Sequence, residues 1–524
     1  MLSKNIIGTI GLILGPILFL IIVFFPIPQI ADLSFAAKIV LASILWMSSW
    51  WITEAIPIYV TALLPIVIFP SLQITTLEET SLNYAHSIIF LFLGGFLLAK
   101  AVEKSNLHKR FAYTILNIFG TDPKFIVAAF MVVTWFLGAW MSNTAVTILM
   151  LPIALAVISL IDDIKKQSKF VVCLLLSIAY SASISGVTTL IGTPPNAIFA
   201  TLANSLTGIN VTFSQWLLMG LPISSISLLV LWLYLIRFGS KITDIKSVVI
   251  GEKDMIKKKL LELGPLSRDE KIVAIVFIIT VALWISRGLF WKDLLPSVND
   301  STIVIASAIS LFLIPSSSSS SFSKKDKEDK EDDGDIDVKS YNLNRNNQKS
   351  SVNISSSNIK EKPKILDWQT AVGIPWGVLI LIGGGLALAN AFTSTGLGEW
   401  MAAKISFLGN ANYLIIILVF VTLAILPTEM ISNTATAALL IPIAASFASS
   451  IPLNPILLMA PVAVATSYGF IMPVGTPPNA IVFSTGYLTA GQIARAGLPL
   501  DLIAIALVTL LTSIFVPLVF GIKI

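Results

Sequence analysis

The sequence predicts an all-α protein that crosses a lipid bilayer many times and is assembled from two related halves. Three observations carry this. The composition is strongly apolar, the apolar runs reach membrane-spanning length, and a set of short motifs occurs twice in the same order.

Of 524 residues, 56% are hydrophobic and only 12% are charged, and the mean hydropathy is +0.88. A soluble domain of this size covers its surface with far more charge. Backbone that faces lipid must satisfy its own hydrogen bonds, so the spanning segments are expected to be helical. The net charge of +5 is modest and sits in a few loops, which points to membrane orientation and away from nucleic acid. Cys173 lies alone in an apolar stretch, and His86 and His108 are far apart in sequence. A disulfide framework, a transition-metal site and a bound organic cofactor are therefore not expected.

Apolar runs place spans at about 6–25, 36–53, 56–70, 86–103, 215–237, 272–290, 301–315, 372–392 and 497–522. The stretch from Phe125 to Ile161 is 37 residues, roughly 55 Å as one helix at ~1.5 Å per residue, too long for a single crossing. Ser142-Asn143-Thr144 lies near its middle and Pro152 follows. Two half-length helices meeting at a polar tip, a re-entrant hairpin over 125–161, would account for it. A second hairpin over 412–449 has the same layout, with Ser432-Asn433-Thr434 near its middle and Pro442 after it. Broken helices are expected at 170–203 and 454–485, each interrupted by Gly-Thr-Pro-Pro-Asn-Ala.

Basic residues give the orientation. Segments 100–124, 162–169 and 237–271 are rich in Lys and Arg, including the run Lys257-Lys258-Lys259, whereas 71–85 and 204–214 have none. The basic loops are expected on the cytoplasmic side. The sequons at Asn210 and Asn299 then fall outside. The first half is read as 1–237, followed by a cytoplasmic basic loop at 238–271. The second half starts at 272–315 and resumes over 366–524. Between them, 316–365 opens with Ser316 to Ser321, passes into a mixed acid-base run and ends rich in Asn and Ser. That composition buries no core and predicts a disordered cytoplasmic insert.

The duplication extends beyond one motif. Met141-Ser-Asn-Thr-Ala aligns with Ile431-Ser-Asn-Thr-Ala, and Ile191-Gly-Thr-Pro-Pro-Asn-Ala-Ile198 with Val474-Gly-Thr-Pro-Pro-Asn-Ala-Ile481. Upstream, Phe92-Leu-Gly-Gly95 resembles Leu381-Ile-Gly-Gly384, and downstream Gly220-Leu-Pro222 resembles Gly497-Leu-Pro499. An odd number of predicted crossings separates the two hairpins. The repeats are therefore expected to be inverted, an arrangement that places a transport site near the midplane.

The motif chemistry fits such a site. Hydroxyls, amides and freed carbonyls at a helix break suit a small hard cation, while helix N-termini and polar donors suit an anion. Two consecutive prolines bar a regular helix, and non-helical backbone at membrane depth is tolerated where it lines a buried cavity. A single Ser-Asn-Thr or Pro in a membrane helix is usually packing or a kink. Paired duplication argues for a site. No Lys or Arg adjoins the motifs, so a co-transported cation would supply charge that the protein lacks.

These residues resemble the divalent-anion/sodium symporter family of sodium-coupled di- and tricarboxylate and sulfate carriers. The resemblance rests on both Ser-Asn-Thr and both Thr-Pro-Pro-Asn motifs, and on Trp50-Trp51-Ile-Thr-Glu-Ala-Ile-Pro57 with Thr61-Ala-Leu-Leu-Pro65. It implies a scaffold domain, an elevator-type transport domain and a homodimer. It implies that Asn143, Thr144, Asn433 and Thr434 hold substrate carboxylates, with Thr476 and Pro477 close by. One sodium is implied near Ser142, Asn143 and Gly192, and another near Thr428 and Asn433. The family commonly has Ser or Thr four residues before each Ser-Asn-Thr. This chain keeps Thr428 in the second half but has Gly138 in the first, which puts the first cation site in question.

The expected function is sodium-coupled symport of a dicarboxylate such as succinate or malate, not enzymatic catalysis. Rivals in the same class are a sulfate or phosphate carrier and proton-coupled or exchange transport. From another class, Asp162-Asp163 would be the start of an intramembrane enzyme site, but no second acidic cluster faces it in sequence. The plasma membrane is the expected location, with a vacuolar or other internal membrane second.

Overall fold

The computed structural model describes residues 4–118, 122–159, 168–239, 255–317, 363–404, 411–473 and 475–523. The Asp162-Asp163 pair and most of the 316–365 segment lie outside these residues.

The regular elements of the described chain are helices, beside one isolated antiparallel bridge between Pro315 and Lys364. The N-terminal group is α1 (Lys4–Phe24), α2 (Phe35–Thr53), α3 (Ile58–Thr61), α4 (Leu64–Ser71) and α5 (Leu77–Leu82). There follow α6 (Ser87–Lys104), α7 (Leu107–Ile118), α8 (Pro123–Gly138), α9 (Asn143–Ser159), α10 (Ser168–Ser185), α11 (Pro194–Thr207) and α12 (Phe213–Tyr234). Next come α13 (Met255–Glu262), α14 (Arg268–Ser286), α15 (Asp300–Leu313) and α16 (Trp368–Val372). The last group is α17 (Trp376–Ser394), α18 (Leu397–Lys404), α19 (Tyr413–Thr428), α20 (Asn433–Ser450), α21 (Ile456–Ala465), α22 (Pro477–Phe483) and α23 (Ala490–Phe520). Among the described residues, six helical segments are long and apolar enough to cross a bilayer unaided, and many shorter apolar helices accompany them. The protein is a multi-pass integral membrane protein.

The duplication reaches the helix ends. Asp122 caps α8 by accepting from the Lys124 N–H, and Asn412 caps α19 by accepting from the Leu414 N–H. Asn106 (φ 62°) and Gly396 (φ 75°) make the left-handed turns that start α7 and α18. Counted back from these turns, Gly94-Gly95 fall opposite Gly384-Gly385, one residue on from the alignment that sequence alone gives. Thr212 and Gln215 form a capping box at the start of α12, and Thr489 and Gln492 form its counterpart at α23. Each box satisfies two N-terminal donors, which is why α23 starts seven residues before the predicted 497.

Two further differences from expectation have local causes. The predicted span over 56–70 divides into α3 and α4 at Ala62-Leu63, with Pro57 capping α3 and Pro65 in the first turn of α4. The short helix α7 was not expected as a separate element. It is amphipathic, and Arg110 on it pairs with Glu270 Oε1 at 2.7 Å and donates to Gly264 O at 2.9 Å. This anchors α7 to the start of α14.

Ends of the 316–365 segment are pinned. Ile365 N–H donates to Ile314 O at 3.1 Å, and Lys104 Nζ reaches Asp367 Oδ2 at 2.6 Å. Burial alone would raise the Asp367 carboxyl. Hydrogen bonds from Lys104 and the Thr370 N–H outweigh it and hold the group below the ordinary carboxylate value.

Candidate functional site at the four helix breaks

The candidate site is built from four interruptions. The chain leaves helical geometry between α8 and α9, α10 and α11, α19 and α20, and α21 and α22. At each break a new helix presents its N-terminus, at Asn143, Pro194, Asn433 and Pro477. Ser142 Oγ accepts from the Ala145 N–H at 3.2 Å, and Ser432 Oγ accepts from the Ala435 N–H at 3.2 Å. The serine of each Ser-Asn-Thr is thus an N-cap. Thr193 and Thr476 hold extended N-cap geometry but make no side-chain cap bond. The prolines after them occupy the first helical turn, where the missing N–H groups would be unsatisfied in any case.

Packing is crosswise between the halves. Helix α9, with the first Ser-Asn-Thr, packs against α22, which follows the second Gly-Thr-Pro-Pro. Reciprocally, α20 packs against α11. The motif-bearing helices of the two halves therefore pack against each other. Tyr180 on α10 donates to Phe470 O at 3.0 Å, and Tyr468 donates to Ser227 Oγ on α12 at 2.9 Å, which ties the halves further.

Within each half the break loop is stapled by the motif asparagine. Asn196 Nδ2 donates to Gly186 O and Thr189 O, both at 2.8 Å. Asn479 Nδ2 donates to Gly469 O at 3.4 Å and Met472 O at 3.1 Å. Such ties satisfy carbonyls that the broken helix leaves without partners, each worth roughly 1 kcal/mol. This last asparagine of Thr-Pro-Pro-Asn is thereby a loop staple.

The structure brings the sequence-selected residues to these breaks. Thr428 Oγ1 lies 2.9 Å from Asn433 Oδ1 and 3.0 Å from Thr466 O, so three oxygens converge in the second half. In the first half Asn143 Oδ1 is buried with no hydrogen-bond partner, 3.2 Å from where a Cβ on Gly186 would lie. A Cβ on Gly192 would meet Gly186 O at 2.5 Å, so this loop closes on itself only with glycine there. Thr144 is half-buried, while Thr434 and Thr476 are buried. Thr476 Oγ1 has no partner, and Pro477 is exposed. A cavity of about 590 Å³ lies elsewhere, lined by Ser34, Thr80, Asn83 and Asn390 among others; none of the motif residues lines it.

A family profile described as "Sodium:sulfate symporter transmembrane region" matches residues 9–522. The chain belongs to the sodium:sulfate symporter family. It is 38% identical over 532 residues to a "Sodium-dependent dicarboxylate transporter SdcS" of Staphylococcus saprophyticus, covering 100% of this chain and 94% of that protein. It is 39% identical over 524 residues to the protein of that name from Staphylococcus aureus strain USA300, covering 98% of this chain and 92% of that one. The solved Alcanivorax borkumensis YdaH transporter shares the fold, with a TM-score of 0.53 at 12% identity over 86% of this chain and 88% of that one.

Two acidic residues, Glu429 and Asp501, also stand at the breaks of this sodium:sulfate symporter family member, and of the two only Asp501 was not legible in its sequence. Glu429 accepts from the Ile471 N–H at 3.1 Å and the Met472 N–H at 2.7 Å, which locks the second loop to the end of α19. Asp501 Oδ1 accepts from the Phe470 N–H at 3.2 Å, and its buried carboxyl neighbours that of Glu429. The matching first-half residues are uncharged. Ala139 O accepts from Thr189 Oγ1, and Ser224 Oγ accepts from Thr188 Oγ1 at 2.9 Å. The available signal for Asp501 was its place two residues after Gly497-Leu-Pro499, where Ser224 follows Gly220-Leu-Pro222.

Proposed function

We propose that the protein is a secondary active transporter that carries a dicarboxylate such as succinate or malate together with sodium. The observation that supports the reading is the crosswise packing of α9 on α22 and of α20 on α11, which sets the motif-bearing helices of the two halves against one another. Each half contributes an Asn and a Thr at a helix N-terminus, a pairing suited to a ligand with two anionic ends. Asn143 and Thr144 serve one carboxylate and Asn433 and Thr434 the other, with Thr476 and Pro477 beside them. The names of the Staphylococcus relatives support both sodium and a dicarboxylate.

The oxygens present fit sodium as a co-transported substrate. Thr428 Oγ1, Asn433 Oδ1 and Thr466 O form a hard oxygen set in the second half. Asn143 Oδ1, Ser142 and Gly192 belong to the first. Bound sodium offsets the substrate's negative charge where no Lys or Arg adjoins the motifs. Transport by this arrangement leaves the substrate chemically unchanged, so no enzymatic step is assigned.

The halves, 1–237 and 272–524 with the 238–271 and 316–365 segments between and within them, are inverted repeats. The hairpins move as part of an elevator-type transport domain against a scaffold, in a homodimer. Bacterial relatives support a plasma-membrane location over a vacuolar one.

Radiolabelled uptake into proteoliposomes tests the proposal. Succinate, citrate, sulfate and phosphate are each offered with sodium, with choline and with an inward pH gradient. Succinate uptake that needs sodium supports it. Uptake of sulfate or phosphate alone, or succinate uptake driven by pH without sodium, replaces it.

A further inference from the structure

We propose that Ser185 supplies the first-half cation site with the hydroxyl that Gly138 lacks. The inference rests on the sodium-coupled reading above and deepens it.

The second half shows what the first is missing. Thr428 closes α19 and sets its hydroxyl against Asn433 Oδ1 at 2.9 Å. Its counterpart at the end of α8 is Gly138, and the counterpart of Asn433 is Asn143, whose buried Oδ1 has no partner. The space beside Gly138 is nonetheless filled by a hydroxyl. A Cβ built on Gly138 would lie 2.1 Å from Ser185 Oγ and 2.9 Å from Ser185 Cβ. An oxygen from α10 therefore stands where a residue-138 side chain would begin.

The exchange is reciprocal. Ser185 precedes Gly186 at the end of α10, and Tyr468 precedes Gly469 at the matching place in the second half. Tyr468 turns its hydroxyl away, to Ser227 Oγ at 2.9 Å. Thr428 instead fills the space against Gly469, whose Cβ would lie 3.1 Å from Thr428 Cγ2. Each half thus has one small hydroxyl residue at this place, taken from opposite sides of the break.

The chemistry suits a ligand. Ser185 is fully buried, and its hydroxyl proton is donated to Ala182 O at 2.6 Å. A hydroxyl whose proton is engaged presents its lone pairs outward, as a hard cation requires. Its neighbour Gly186 is the residue against which Asn143 Oδ1 lies. A purely structural Ser185, capping the last turn of α10, would affect stability without singling out sodium.

The test is equilibrium binding of radioactive sodium to the purified full-length protein in detergent. Compared are wild type, Ser185→Ala, Ser185→Cys and the swap Gly138→Ser/Ser185→Gly. The expected result is at least a tenfold rise in half-saturating sodium for one class of sites in Ser185→Ala and Ser185→Cys. Succinate affinity at saturating sodium should stay within about threefold of wild type. The swap should recover sodium affinity to within about threefold, because it returns the hydroxyl from the other side. Ser185→Cys keeps the volume, so it serves if Ser185→Ala does not fold. Wild-type sodium affinity in either single variant overturns the proposal, as does failure of the folded swap to recover it. A wild-type protein that binds no sodium overturns the coupling reading as well.

Discussion

Replacing Gly497 by Ala puts a methyl group where α23 touches the loop that follows α21. The new Cβ would lie 2.0 Å from Phe470 O, 2.4 Å from Phe470 C and 2.7 Å from Ile471 Cα. Ordinary contacts need about 3.5 Å, so the loop or the helix must retreat by roughly 1 Å. Overpacking costs ~1–3 kcal/mol, and the upper part of that range applies because the obstructing atoms are backbone. The helix-propensity gain of Ala over Gly offsets about 1 kcal/mol. The net loss of ~1–2 kcal/mol should lower the unfolding midpoint by on the order of 1–2 °C for a chain of this length. The displaced loop carries the N–H groups that hold Glu429, the residue after the proposed sodium ligand Thr428, so half-saturating sodium for uptake should also rise. Gly491→Ala is the control, because a Cβ there meets nothing within 4 Å. Tryptophan-fluorescence melting in detergent and succinate uptake in proteoliposomes read the two effects. A Gly497→Ala protein that melts and transports like Gly491→Ala would refute the reasoning. Gly220→Ala should behave in the same way, since its Cβ would lie 2.3 Å from Val187 O.

Arg110→Ala should destabilise the protein by about 3 kcal/mol, read as a lowered melting midpoint, because it leaves Glu270, with 4% side-chain exposure, without its ion-pair partner. An unchanged midpoint would mean the pair does not hold α7 to α14. Asp367→Asn should weaken the protein by under about 1 kcal/mol at pH 7, given that Asp367 is 42% exposed and screened. The folded carboxyl is held below its unfolded value, so its contribution is complete above the unfolded pKa of about 3.9 and is lost as pH falls through the lower folded value. The wild-type advantage over Asp367→Asn should therefore vanish in acid; an advantage that grows in acid would contradict the sign.

The helix breaks were legible because Ser-Asn-Thr and Gly-Thr-Pro-Pro each interrupt a long apolar run with residues that cap or bar a helix. Crosswise packing was not legible, since it joins α9 to α22 and α11 to α20 across long stretches of chain. Gly138 illustrates the limit well. Sequence showed a missing side chain, and only the fold could show Ser185 Oγ arriving from another helix to fill that place. Asp501 was hidden for a similar reason: an acid in an apolar helix has no spacing that pairs it with Glu429. The one-residue shift in the Gly94-Gly95 alignment came from Gly383-Gly384-Gly385, where three glycines allow two registers and only the turns at Asn106 and Gly396 choose between them. The duplicated capping boxes were readable in retrospect as Thr212-x-x-Gln215 and Thr489-x-x-Gln492.

The central claim is that both motif sets form one site that moves a dicarboxylate with sodium. Its most direct test is sodium-driven uptake of radiolabelled succinate into proteoliposomes by wild type, Asn143→Ala and Asn433→Ala, with insertion and folding verified for each. The account predicts uptake by wild type with sodium and none with choline, and loss of uptake in each variant alone. Near-normal uptake by either folded variant, or wild-type uptake indifferent to sodium, would contradict it.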